Sequence, residues 1–353
     1  LYYGHNRAYT VETQSEASHW KDGDRWLPGT TILVAERHEF GMGVENFFHS
    51  MEHLSGTWLM GGHTARDDVK HVVYLMPGYY APDSPNQYKF FGQHEMTPHT
   101  IKAMYKNAQI LTWESLLATA EAAPSGRLCM PISIISDRAL SYEDNECMRL
   151  NKMLANMFPV ANHQDSLAMA SALWDYSSVK PLTIPDLSIE RHRKRKIRLL
   201  YTTRHSKRVF SDELDTKIVA LLSSIPGVEL VIADFSTFPF VEQVSRIAQS
   251  DILFGLHGSG LTHLLWLPQH ATVVEIFPED TFAIDYRAFA RLRGLDYVGL
   301  QAQRGPTKPI PDGEAFRTGA YGHMANKVVK VLDLYAVLNV IEKVKNRVLG
   351  EVN

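Results

Sequence analysis

The chain has 353 residues, 45% hydrophobic and 21% charged, with a formal net charge of −3 at pH 7. That near balance excludes the strongly basic surface that nucleic acid or an anionic membrane selects, and no apolar run reaches membrane-spanning length. The length exceeds what one hydrophobic core usually fills, so two domains are expected.

Taken in chain order, residues 1–27 are polar and aromatic and predict an irregular or strand-rich entry. Thr31–Ala35 predicts a strand, Gly41–Gly43 a turn and Val44–Met60 a helix. Val72–Met76 reads as a buried strand, followed by a loop at Pro77–Pro85 rich in proline and aromatics. A helical segment near Ile101 leads to a strand at Ile110–Trp113, and Leu128–Ile135 predicts another. Glu143–Phe158 carries Met148, Leu150, Met153, Leu154 and Met157 at helical spacing. Strands alternating with helices in this way argue for α/β architecture with parallel sheets covered on both faces.

The domain boundary is placed in Ser177–Arg195, where Pro181 and Pro185 precede the basic run Arg191 to Lys196. One isolated basic cluster reads as a solvated linker rather than a nucleic-acid patch. In a chain that travels the secretory route it is also an exposed site for proteases that cut at basic residues. This gives an N-terminal domain over 1–185 and a C-terminal domain over 186–353. The second domain opens with a strand at Ile197–Thr202, then a helix at Asp212–Ser224, a strand at Val228–Ala233 and a helix at Val241–Gln249. Toward the C-terminus, Val329, Leu332, Leu334, Val337, Leu338, Ile341 and Val344 form a helical stripe that reads as a core face.

The stretch Ser250–Glu275 organises the second domain. Asp251–Gly255 predicts a buried strand, His257-Gly258-Ser259-Gly260 a small-residue turn, and Leu261–Leu267 a short helix ending at Pro268. A second apolar strand, Ala271–Ile276, carries Glu275. In open α/β sheets a strand, turn and helix start of this kind leave backbone N–H groups free to hold a phosphate.

GLHGSGLTHLLWLP followed by a VVE strand resembles the signature of the family-61 glycosyltransferases. Lys196–Arg208 is similar to the family's strand ending in a Ser-Arg or Ala-Arg element with a further arginine downstream, and Arg204 and Arg208 are the matching positions. Val241–Val244 and Ala248–Asp251 fit the helix before the glycine turn. Ala290–Gly294 followed by Tyr297 resembles the O-GlcNAc-transferring branch. In the first domain, Gly43–His49 is similar to the family's Asn-x-x-His helix.

The resemblance implies an inverting glycosyltransferase of two Rossmann-like domains (GT-B type), with a UDP-sugar between them and a terminal helix that crosses back to the first domain. The sugar implied is GlcNAc or xylose, and the acceptor a protein or glycan hydroxyl. Independently, a diphosphate needs positive charge and N–H donors. Arg204, Arg208 and the turn His257, Gly258, Ser259, Gly260, Leu261 and Thr262 supply both, and Glu275 is expected to accept from the ribose hydroxyls. No Asp-x-Asp element sits where it would hold a metal-bound diphosphate, so no cofactor beyond the donor and no metal are expected. Neither a nucleic-acid partner nor a membrane contact is expected, apart from an N-terminal signal or anchor missing upstream of Leu1. Relatives in the secretory pathway carry a comparable first-domain cysteine pair. The resemblance therefore implies a disulfide between Cys129 and Cys147 and a lumenal site in the endoplasmic reticulum or Golgi.

Relatives usually place an aspartate seven residues beyond the motif asparagine; here that position is His53, preceded by Glu52. Inversion needs a base for the acceptor hydroxyl, and His49, Glu52 and His53 are the candidates. The same residues spell H-x-x-E-H, which leaves a zinc metallopeptidase as one alternative. A catalytically silent glycan- or nucleotide-binding relative is the other.

Overall fold

The computed structural model describes residues 2–3, 7–8, 23–35, 47–58, 66–75, 96–137, 163–183, 195–205, 208–279, 281, 283, 285–302 and 327–350. The chain is mixed α/β with parallel sheets and divides into two units, Leu1–Tyr142 and Glu143–Asn353. The expected helix at 143–158 and the proline-rich loop at 77–85 lie outside the described residues.

The first unit is built on four parallel strands: β1 (Thr30–Ala35), β2 (Val69–Leu75), β3 (Gln109–Thr112) and β4 (Ile132–Asp137), in the order β3-β2-β1-β4. Ile32, Leu33, Val34, Val72 and Val73 are buried, as strands covered on both faces require. Helices α1 (Phe47–Thr57), α2 (Met96–Met104) and α3 (Trp113–Glu121) accompany the sheet, with two short strand pairs, Tyr2–Tyr3 with Arg7–Ala8 and Arg25–Trp26 with Leu128–Cys129. Cys129, half-buried, is a free cysteine, and Cys147 lies outside the described residues.

The second unit carries β5 (Ile197–Thr202), α5 (Asp212–Ser224), β6 (Val228–Ala233), α6 (Phe240–Ala248), β7 (Ile252–Leu256), β8 (Thr272–Phe277), α7 (Asp285–Arg293), β9 (Asp296–Gln301) and α8 (Leu334–Leu349). Its five strands are all parallel, ordered β6-β5-β7-β8-β9. Every residue of β7 and β8 is buried, which marks them as the centre of the sheet. Local chemistry sets the helices. Ser211 caps α5 by accepting from Leu214 N, and Asp212, Glu213 and Asp215 meet its positive end. Asp333 caps α8, and Gly350 ends it at φ 67°, a left-handed conformation that glycine adopts without a side-chain clash.

Two placements differ from the sequence reading. Helix α4 (His163–Tyr176), ahead of the proline-marked boundary, belongs to the second unit, where Trp174 Nε1 donates to Trp266 O at 2.9 Å. The terminal helix α8 buries Val337, Ile341, Val344 and Val348 in the second unit's own core. Its apolar stripe is thus satisfied by the sheet it follows in sequence.

Candidate active site

Relative to sequence, the second sheet runs 2-1-3-4-5, so its direction of winding reverses between β5 and β7. Loops leaving neighbouring parallel strands diverge at such a point, and ligands bind in the crevice outside the strand C-termini. Here β5 ends at Thr202 and leads to Arg204 and Arg208, while β7 ends at Leu256 and leads to His257 and Gly258. The segment after Gly258 is a 3-10 helix, Ser259–Trp266, whose first-turn N–H groups have no intrahelical acceptor. From Asp251 to Pro268 every residue is buried except Ser259 and Gly260, so the chain opens to solvent at that N-terminus.

The Arg204 guanidinium lies directly on Gly258: a Cβ there would fall 1.3 Å from Nη1 and 2.4 Å from Cζ. Arg208 Nε donates to the His257 carbonyl at 3.0 Å. The Arg204 Nε is buried without a partner, and among the described residues no carboxylate pairs with this side chain. Burial, then the neighbouring Arg208 charge, holds the Arg204 pKa below the usual arginine value. A largely buried cation without a counter-ion is costly, and an anion is what it lacks. Thr202 braces the turn from below: a Cβ on Gly255 would come within 2.5 Å of its Cγ2, and one on Gly260 within 2.8 Å of its Oγ1.

Sheet register builds the rest. Glu275 on β8 pairs with Gly255 on β7 and Gly299 on β9. Side chains alternate along a strand, so His257, two residues past Gly255, and Tyr297, two before Gly299, share its face. The two glycines leave the Glu275 carboxylate room to reach both. His257 Nδ1 lies 2.5 Å from Oε1, and Tyr297 OH donates to Oε2 at 2.5 Å. Glu275 is fully buried with both oxygens engaged, which turns it away from the ribose hydroxyls it was expected to hold. Burial pushes the Glu275 carboxyl up, against the pull of Tyr297, Arg287 and Arg208. Burial, opposed by Asp285 and reinforced by Arg208 and Arg204, holds the His257 imidazole well below the usual histidine range. Burial thus drives both members of the couple toward their uncharged forms.

Leu261 and Thr262 are fully buried, and the Leu261 N–H already donates to the Gly258 carbonyl at 2.8 Å, so the N–H groups open to a ligand are those of Ser259 and Gly260. Behind the turn, His263 bridges the Gly260 carbonyl (2.9 Å from Nδ1) and Gln243 Oε1 (2.7 Å from Nε2), and Phe235 stacks on its ring at 4.0 Å. At the far end of the 3-10 helix, Trp174 donates to Trp266 O and Arg293 Nη2 to Leu267 O at 3.0 Å. Nothing in the local sequence announces Trp174 as a neighbour of this helix or Arg287 as a neighbour of Glu275; Arg293 and Tyr297 stood only within a motif.

The basic run is not all solvated linker. Arg195, near its end, forms a two-pronged bond with the fully buried Asp251 (2.8 and 2.6 Å), which also receives His270 Nε2 at 2.8 Å and the Arg198 N–H at 2.8 Å. This cluster sits at the N-terminal end of β7, away from the glycine turn at the strand's other end.

His49, Glu52 and His53 lie on α1, and their side chains are outside the described residues. By helical period the three positions share one side, opposite that of the buried Phe47, Met51 and Leu54. Among the described residues no group of three or more His, Cys, Asp or Glu is placed to hold a metal ion.

A doubly wound parallel sheet with an arginine-backed glycine turn at its switch point defines a protein of the nucleotide-binding class. The family model of glycosyltransferase 61 matches residues 83–274, more than half of the chain. The chain belongs to glycosyltransferase family 61, whose members transfer sugars from nucleotide-sugar donors. It is 32% identical over 136 residues to the EGF domain-specific O-linked N-acetylglucosamine transferase of Drosophila melanogaster, covering 38% of this chain and 25% of that protein. It is 36% identical over 109 residues to the alpha-1,3-arabinosyltransferase XAT3 of Oryza sativa subsp. japonica, covering 30% of this chain and 18% of that protein. The chain thus spans a quarter or less of these relatives. Among solved structures, an alpha/beta-galactoside alpha-2,3-sialyltransferase from Photobacterium phosphoreum matches 78% of this chain and 99% of that one at 8% identity. Its TM-score of 0.28 is too low to establish a shared fold.

Proposed function

We propose that this chain is an inverting glycosyltransferase that moves a sugar, GlcNAc or xylose, from a UDP-sugar to a protein or glycan hydroxyl. The observation that carries the reading is the Arg204 guanidinium, without a carboxylate partner, lying on Gly258 at the switch point of a parallel sheet. With Arg208 and the N–H groups of Ser259 and Gly260 it matches a diphosphate in charge and in donor count. Two arginines in this place favour charge neutralisation by the protein, so turnover without added metal is expected. A parallel sheet in each unit supports a paired-Rossmann, GT-B type architecture.

The acceptor hydroxyl is deprotonated from α1, by Glu52 or His53 with the other orienting it, or by His49. Family membership displaces the metallopeptidase reading. The relatives' specificity for EGF domains favours GlcNAc and a protein hydroxyl, and a site of action in the endoplasmic reticulum or Golgi lumen. Among the described residues no helix is long and apolar enough to cross a membrane. A thermal-shift and hydrolysis screen across UDP-sugars, with and without divalent metal, tests the proposal. Stabilisation by UDP with turnover of at least one UDP-sugar is expected; UDP stabilisation without turnover would favour the silent relative, and no response to UDP would overturn the reading.

A further inference from the structure

In the transfer proposed above, the acceptor oxygen bonds to the sugar's anomeric carbon and the bond from that carbon to the diphosphate oxygen breaks. The electron pair of that bond stays on the leaving oxygen, which gains a negative charge. Arg204 and Arg208 offset this charge but have no proton to give at neutral pH. His257 is different. Its carbonyl is held by Arg208, and its backbone leads directly into Gly258, beneath Arg204. Its ring is fixed between Phe277, stacked at 5.3 Å, and Tyr286, edge-on at 5.4 Å. Nδ1 is committed to Glu275, and Nε2 has no hydrogen-bond partner among the described residues.

Resting on the donor reading, we propose that His257 gives the proton on Nε2 to the leaving diphosphate oxygen while Glu275, steadied by Tyr297, resupplies a proton at Nδ1. The step balances. One proton leaves Nε2 for the diphosphate, one moves from Oε1 to Nδ1 across 2.5 Å, and the acceptor's own proton goes to the separate base. Glu275 ends as a carboxylate that still accepts from Tyr297 OH, and the imidazole ends neutral in its other tautomer. Solvent reprotonates the couple after the nucleotide departs.

The surroundings favour the starting state. Arg204 and Arg208 beyond β5 oppose an imidazolium and Asp285 on α7 favours one, while Arg287 on α7 and Tyr297 on β9, which donates to it, favour the Glu275 carboxylate. Burial outweighs these charges for both groups, lowering the imidazole and raising the carboxyl, each toward its uncharged form. A neutral imidazole that accepts at Nδ1 carries its hydrogen on Nε2.

Glu275→Gln separates relay from mere orientation. The amide still donates an N–H to Nδ1, so the tautomer is kept, but it has no proton to pass on. Turnover of UDP-GlcNAc and UDP-xylose should fall by on the order of a hundredfold in Glu275→Gln and in His257→Gln. The UDP dissociation constant from calorimetry should stay within about threefold of wild type, as expected for an interaction made only in the transition state. The alkaline limb of the wild-type kcat profile, where Glu275 loses its proton, should vanish in Glu275→Gln. Near-wild-type turnover in Glu275→Gln, or UDP affinity falling in step with kcat, would overturn the relay. Should His257→Gln fail to fold, the near-isosteric Glu275→Gln carries the test. A wild-type protein that neither binds UDP nor turns over either sugar donor would instead overturn the donor reading beneath it.

Discussion

Replacing Gly258 with alanine should abolish most of the donor affinity, at some cost in stability because φ 157° and ψ 175° favour glycine there, and the geometry says why. The new Cβ would stand 1.3 Å from Arg204 Nη1 and 2.4 Å from Cζ, so the guanidinium must move away. The atoms displaced are the far end of a flexible side chain with no protein partner at Nε, so moving them breaks no hydrogen bond at that atom. What is lost is the charge-assisted contact with phosphate, about 1.5–3 kcal/mol, or roughly ten- to a hundredfold in UDP affinity. Arg204→Ala should lose the same amount by a shorter route. Because both changes displace one guanidinium, Arg204→Ala should cost little further UDP affinity in a Gly258→Ala background, giving a coupling energy close to the whole Arg204 effect. Calorimetric titration of UDP into the four proteins, with melting curves alongside, measures this. Additive losses, or wild-type affinity in a folded Gly258→Ala protein, would refute the placement of Arg204.

Three further outcomes follow from the geometry. Asp251→Asn removes the carboxylate that holds Arg195, His270 and the Arg198 N–H, and should cost about 3–5 kcal/mol in urea unfolding at neutral pH. Burial pushes Asp251 up, but the Arg195, His270 and Arg198 bonds prevail and hold it below the usual carboxylate value. Its contribution is therefore complete above the unfolded-state value of about 3.9 and lost as pH falls through the folded one, so the variant's acid limb should be flatter than wild type. Trp174→Phe leaves the Trp266 carbonyl without its donor and should cost about 1–3 kcal/mol; an unchanged urea midpoint would show that the bond contributes nothing. Glu52→Gln and His53→Ala should each lower turnover by about a hundredfold with UDP affinity nearly unchanged. Wild-type turnover in both would move the base to His49 or off α1.

The sequence by itself determined the elements that carry the second unit. Ile197–Thr202, Asp212–Ser224 and Val228–Ala233 fall where the apolar runs and the amphipathic period place them. Those signals are local: a strand's buried run and a helix's period act within a few residues. The glycine turn was legible for the same reason, since its small residues stand in order along the chain, whereas Arg204 and Arg208 were singled out by the family resemblance. Whatever depended on strand order stayed hidden. Glu275 was expected to face the ribose hydroxyls, and only the register of three strands shows it beside His257 and Tyr297. Arg195 looked like linker charge until the start of β7 brought Asp251 to it. Helix α4 preceded the proline-marked boundary, yet Trp174 satisfies a carbonyl 92 residues further on. In each case a buried polar group had to find its partner, and the chain supplied that partner across the sheet rather than along the sequence.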